Sequence, residues 1–330
     1  IILFALSLFI TNTSNAETES ANDFEWTYTV ENEKAVDVYI SSGIITSSIT
    51  VPDTLGGYPV ARLGTGKSNF VNNANSTKLY NIYLPSSLEE INDNAFSNMS
   101  YVRTIGLATD STRLPNVTKI GNNAFYWNNS LSAIILPETL TSIGTQAFYC
   151  CRNLSSITIP SSITEFGTNI FSGCSNLRTI NFSEGLTKIG AGMFSGTAVT
   201  SVTLPDNITE IPNSVFYNCT SLSDVTIQNI VTSIGDNAFG NCTNLKNISS
   251  MENITTIGNS AFYNCSNLSN FKIGNSIENI GTNALFNVKD TYINKEEGTV
   301  EIGTGNNGQI HYLNCTHKIN IATLEGIKIV

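Results

Sequence analysis

A phenylalanine, in most turns preceded by alanine, returns along the chain at Phe96, Phe125, Phe148, Phe171, Phe194, Phe216, Phe239 and Phe262, with Leu285 in the same phase. The intervals are 29, 23, 23, 23, 22, 23, 23 and 23 residues. A unit this short cannot close a core of its own, so it must bury its apolar face against the units before and after it. The 330-residue chain is therefore expected to be one elongated solenoid rather than two ordinary domains.

Within the best-kept unit, Leu154, Ile157 and Ile159 set an L-x-x-I-x-I frame. Its last residues alternate in and out, as a strand requires. A proline follows the frame at Pro85, Pro137, Pro160 and Pro205, where its missing N–H ends pairing. Further along, Ile143, Ile189, Ile234, Ile257 and Ile280 each precede a glycine, at Gly144, Gly190, Gly235, Gly258 and Gly281. A glycine column of this kind marks either a positive φ or a close approach between turns; Asn92 and Pro212 interrupt it. The Ala-Phe pair that follows is expected on a short helical turn of the convex side.

The full pattern, L-x-x-I-x-L-P-x-x-L-T-x-I-G-x-x-A-F-x-x-C, is kept almost position for position from Leu131 to Cys151. It resembles the repeat of BspA-like leucine-rich-repeat proteins. That resemblance implies a right-handed leucine-rich-repeat solenoid of about nine 23-residue repeats, with a parallel β-sheet on one face and short helical or irregular turns on the other. Departures are a six-residue insertion between Leu107 and Leu114, a deletion near Ala198, and polar Ser250 at an apolar strand position.

The domain reading places an N-terminally truncated signal peptide at 1–16, a capping segment at 17–78, repeats at 79–288, and a C-terminal β cap or the start of a further module at 289–330. The signal rests on the apolar run Ile1 to Ile10 and the small residues of Ser14-Asn15-Ala16. No other stretch approaches the ~20 apolar residues of a membrane span. The expected location is secreted or cell-surface. Asn-x-Ser/Thr triplets recur, as at Asn153, Asn218 and Asn264, in part because the repeat demands Asn and Ser at its turns.

A formal net charge of −10 with only 13% charged residues excludes the clustered cations of a nucleic-acid interface. Catalysis has little to work with. The two histidines, His311 and His317, lie outside the repeats, and no H-E-x-x-H or G-x-S-x-G motif occurs. Gly303 to Gly308 fits G-x-G-x-x-G, yet Gln309 to Leu313 reads as a strand rather than the helix a dinucleotide site needs. Gly64-Thr65-Gly66-Lys67-Ser68 echoes a phosphate loop but lacks its first glycine. No catalytic residue, cofactor or metal is expected. Cys151, Cys174, Cys219, Cys242 and Cys265 share one column with Met99, Thr197 and Val288, which favours buried thiols over disulfides; Cys150 and Cys315 stand outside it.

The outward strand positions, such as Ser156/Thr158 and Ser201/Thr203, are mostly Ser, Thr or Asn. The exceptions cluster near the N-terminal end. Tyr80, Tyr83, Arg103 and Ile135 form the candidate partner-binding set, since Tyr and Arg are enriched as interface anchors. Gly106, beside Tyr83, is expected to leave room for a partner. Tyr126, Tyr149, Tyr217 and Tyr263 make a sparser second row after the phenylalanines. By resemblance the function is adhesion: a surface module engaging a host or neighbouring-cell protein, or one of the matrix, through the repeat sheet. The alternative is a glycan-binding or spacer module of a larger surface protein, against which the lack of an aromatic platform speaks.

Overall fold

The computed structural model describes residues 16–22, 24–43, 47–67, 70–71, 79–294, 299–302, 304–306, 309–313 and 320–323. The signal-like run up to Asn15, together with Cys315 and His317, lies outside them. The chain is a parallel β-solenoid of about 11 turns.

Each turn has three sides. On the first, the frames form strands such as Asn81–Leu84, Ser156–Ile159, Thr179–Phe182 and Asp224–Thr226. They pair in parallel with matched register, Ile157 opposite Ile180 and Val202 opposite Val225. On the second side, two-residue strands such as Lys119–Ile120, Ser142–Ile143 and Glu165–Phe166 pair in parallel. The glycine that follows donates its amide to the isoleucine one turn back, Gly144 to Ile120 and Gly258 to Ile234, both at 2.8 Å. A Cβ on Gly144 would stand 2.5 Å from the Asn122 nitrogen, and one on Gly167 only 2.1 Å from the Thr145 nitrogen. Close approach between turns, not positive φ, is what the glycine column serves.

The third side corrects the helical expectation. Among the described residues there is no helix; the phenylalanines sit on turns. The reason is that the residues two before and two after each phenylalanine are left-handed, as at Asn94 and Asn98 (φ 59° and 58°) or Asn237 and Asn241 (55° and 61°). Right-handed helix cannot pass through such positions. The alternation turns every second amide toward the next turn. Asn94 donates to Asn122, Phe96 to Ala124 and Asn98 to Tyr126 at 2.6–2.8 Å. Asn, Gly and Ser fill most of these positions, because only residues of that kind take the conformation at small cost. Asn94, Asn98, Asn123, Asn169, Asn218, Asn237, Asn241 and Asn264 stand where they do because of this geometry.

The core runs the length of the solenoid as an aromatic spine. Rings stack from Phe96 through Phe125, Phe148, Phe171, Phe194, Phe216 and Phe239 to Phe262, with centroids 4.6–5.9 Å apart. Phe70 and Trp26, both buried, continue it into the N-terminal segment. There three antiparallel strands, Glu17–Ala21, Phe24–Glu31 and Lys34–Gly43, lead into the parallel ladder at Arg62–Leu63. After Lys289, where the sequence period is lost, both ladders carry on. Asp290–Asn294 and Gln309–Leu313 extend the first side, and Thr299–Ile302 and Asn320–Thr323 the second, all in parallel.

The column cysteines are buried and free. Each thiol points at the carbonyl of the phenylalanine one turn back, Cys151 to Phe125 and Cys174 to Phe148 at 3.2 Å, Cys219 to Phe194 and Cys242 to Phe216 at 3.1 Å. Asn128 does the same with its amide, donating to Phe96 at 2.8 Å. So the column mostly wants a small donor, a sharper requirement than the apolar filler expected from its Met and Val members. Burial pushes the thiols up, Cys219 to about 11 and Cys265 to about 12.

Candidate functional site

The frame sheet carries the partner-binding candidates. Along Asn81–Leu84, Ile82 and Leu84 turn inward and are buried, so Tyr83 projects outward and is half-buried. It lies between Thr50 on one side and Gly106 on the other. Tyr80 and Arg103 occupy equivalent positions one turn apart, and the Arg103 guanidinium lies 4.9 Å over the Tyr80 ring. Arg103 is exposed, leaving its outer face for a partner. Tyr80 and Arg103 thus form one cation–aromatic pair, just before the strand from which Tyr83 projects.

Ile135 stands apart from these residues. It is 38% exposed, as the sequence reading requires, but the six-residue insertion is wedged between. The Arg113 carbonyl accepts from the Leu107 amide at 2.9 Å, and the segment Thr112 to Leu114 then pairs with Ile135 through bonds of 2.7 and 3.1 Å. Gly106 changes role as a result. A Cβ there would stand 2.7 Å from the Ser111 and Arg113 carbonyls, so the space beside Tyr83 is taken by the chain itself. The wedge is held by Asp110, whose carboxylate accepts from the Thr112 hydroxyl at 2.7 Å and amide at 3.1 Å. Those bonds, with Arg113 nearby, hold Asp110 below the usual carboxylate range.

On the phenylalanine side the structure assembles an aromatic platform that sequence reasoning missed. Tyr126 and Tyr149 stack at 5.3 Å. Trp127 is 39% exposed, with the Arg152 guanidinium 5.3 Å above its ring. Trp127 holds φ at 58°, a conformation costly for a bulky side chain. The signal was present: this column is otherwise Asn, Gly or Cys, and a lone tryptophan in it is an outlier. Of the remaining second-row tyrosines, Tyr263 stacks on Phe286 at 4.8 Å and Tyr217 accepts from Asn241 at 3.1 Å. Among the described residues no group of His, Cys, Asp or Glu is placed to hold a metal ion, and no helix is long and apolar enough to cross a membrane.

The model of the BspA type leucine rich repeat region matches in six copies, over residues 70–114, 107–223 and 209–321. The chain belongs to the BspA-type leucine-rich-repeat family. Among solved structures it is similar to a leucine rich cell surface protein from Faecalibacterium prausnitzii, at 21% identity and TM-score 0.55, covering 94% of this chain and 96% of that one. It is also similar to the pneumococcal vaccine antigen PcpA, at 18% identity and TM-score 0.51, covering 94% and 100%. At these identities the likeness concerns the fold. No curated protein matches the sequence.

Proposed function

We propose that this BspA-type chain is an adhesion or protein-binding module, displayed at a cell surface or secreted, that engages a host, neighbouring-cell or matrix protein through its frame sheet. One observation carries the reading: the Arg103 guanidinium stacked on the Tyr80 ring, next to the strand from which Tyr83 projects, in a sheet whose outward residues are mostly Ser, Thr or Asn. Such anchors dominate interface energetics. A similar fold in a protein named as a cell surface protein supports the location.

The test is capture of a partner from cell-surface and matrix extracts by the wild type and two folded double variants. Tyr80→Ala/Tyr83→Ala should lose capture, each anchor contributing ~2 kcal/mol or more, whereas Thr158→Ala/Thr226→Ala should keep it. The reverse result would move the site to the middle turns.

A second reading, glycan binding, is favoured by the Trp127 platform with its stacked tyrosines. The other tryptophan, Trp26, is fully buried, so quenching of exposed tryptophan fluorescence by oligosaccharides reports Trp127 alone. A titration without saturable change would remove this reading.

A further inference from the structure

The frame sheet stops between Thr179–Phe182 and Ser201–Thr203. The first strand pairs only with Ser156–Ile159 and the second only with Asp224–Thr226. The break coincides with the single-residue deletion: Val199 follows Thr197 after one residue, where Leu177 follows Cys174 after two. An open groove of about 820 Å³ runs between them, lined by residues 178–185 and 200–207.

Alternation in a parallel ladder decides which groups face that groove. Thr179 and Ser183 donate back to Ser155 and Ile159, and Leu204 donates forward to Thr226. The amides and carbonyls of Ile180 and Phe182 therefore face the groove from one side, and those of Ser201 and Thr203 from the other. Neither set bonds across it. Ile180 and Phe182, inward positions that are buried in neighbouring strands, are left half-exposed. An unpaired strand edge of this sort is a template for another strand.

We propose that the breach is a docking site for an extended peptide segment of a partner protein, added as a strand between Thr179–Phe182 and Ser201–Thr203. The molecule fills one such gap itself: the insertion segment Thr112 to Leu114 lies between Thr104–Leu107 and Ile135, and its pairing with Ile135 is parallel. A third break, between Asn247–Ile248 and Phe271–Ile273, is bridged at its end by the Gly274 amide on Met251 at 3.2 Å. Charge sets the occupant's polarity. Exposed Arg178 stands where a parallel occupant begins, and exposed Glu184 and Asp206 stand where it ends. The segment is acidic at its start and basic at its finish. Between them, side chains alternate, apolar toward Ile180, Phe182, Val202 and Leu204 and small and polar toward solvent. This mode of recognition is strand addition, in which the backbone gives affinity and alternate side chains specificity. The inference rests on the protein-binding reading for its class of partner and uses a different part of the sheet.

The experiment titrates a fluorescent peptide, Asp first, Lys last, Val and Thr alternating between, into the full chain, followed by anisotropy. Saturable binding is expected. Methylating alternate peptide nitrogens should weaken it by about tenfold or more, a factor that one lost hydrogen bond supplies. Inserting an asparagine between Ala198 and Val199 restores the spacing, closes the ladder and should abolish binding while circular dichroism is unchanged. Hydrogen exchange at Ile180, Phe182, Ser201 and Thr203 should be fast in the free protein and slowed by the peptide. Binding that is absent, indifferent to methylation or retained in the insertion variant overturns the proposal. So do amides already protected in a dimer, which would assign the breach to a second copy. Peptide binding that survives Tyr80→Ala/Tyr83→Ala while cell-surface capture is lost separates the two sites; peptide binding lost in that variant overturns the breach as its location.

Discussion

Phe216 is fully buried, with Phe194 5.8 Å away on one side and Phe239 5.7 Å away on the other. Neither neighbour can move into the space it leaves, since each is held by its own turn. Phe216→Ala should therefore cost about 3–5 kcal/mol, measured by chemical denaturation. The cysteine column makes a second residue-level prediction, with a definite sign. Burial raises the Cys219 thiol from 9.0 to about 11, so the unfolded chain deprotonates first. The stability this thiol contributes is whole below pH 9 and is lost as pH rises toward 11, an amount on the order of 2 kcal/mol. Cys219→Thr, which places at this position the non-titrating hydroxyl donor that Thr197 supplies one turn earlier, should melt with a shallower alkaline decline than the wild type. Parallel declines would show that the thiol does not titrate as placed.

At the scale of the element, the second-side strands from Arg62–Leu63 to Asn279–Ile280 are two residues long, and most are followed by a glycine whose missing side chain lets the turn before approach closely. A Cβ at Gly167 would meet backbone, Thr145 nitrogen at 2.1 Å and the Gly144 carbonyl carbon at 2.4 Å, so the turns must part. Gly167→Ala should destabilise by roughly 1–3 kcal/mol and raise exchange at the amides that bond across this ladder. The strands of the frame were legible because their period-2 alternation is carried by apolar side chains. The phenylalanine turns were not, because left-handed backbone is written in Asn, Gly and Ser, residues that also mark ordinary loops. The same limit applied to the candidate site. The outward direction of Tyr83 was legible from strand phase, whereas the path of the insertion past Gly106 depended on pairing with Ile135, a contact no local pattern encodes.

Over the whole molecule, coupling runs only between neighbouring turns, so stability is a sum along a line. Exchange in Phe216→Ala should rise around that turn and leave the turns near Phe125 unchanged; a uniform rise would contradict the linear picture. The line also has a weak point. The frame sheet is interrupted between Phe182 and Ser201, and the second-side ladder between Glu165–Phe166 and Glu210–Ile211. Through this stretch the continuous backbone bonding is that of the phenylalanine side, from Phe171 on Met193 to Phe194 on Val215. Thermal unfolding should then proceed in two steps, one for each block, with early proteolytic cleavage at exposed Glu184. An asparagine inserted between Ala198 and Val199 should merge the steps into one transition by calorimetry.

Period and pattern by themselves determined that this chain stacks short units into a parallel solenoid, where its core lies, and that its column cysteines face inward, because burial repeats with the chain and can be read one unit at a time. What fills the gaps between units was decided only in three dimensions. One extra stretch became a wedge beside Gly106, an open breach lies at the turn that lacks one residue, and one tryptophan became part of a platform with residues from the next turn. Each outcome depends on the register between turns, and register is a property of pairs of segments rather than of either segment alone.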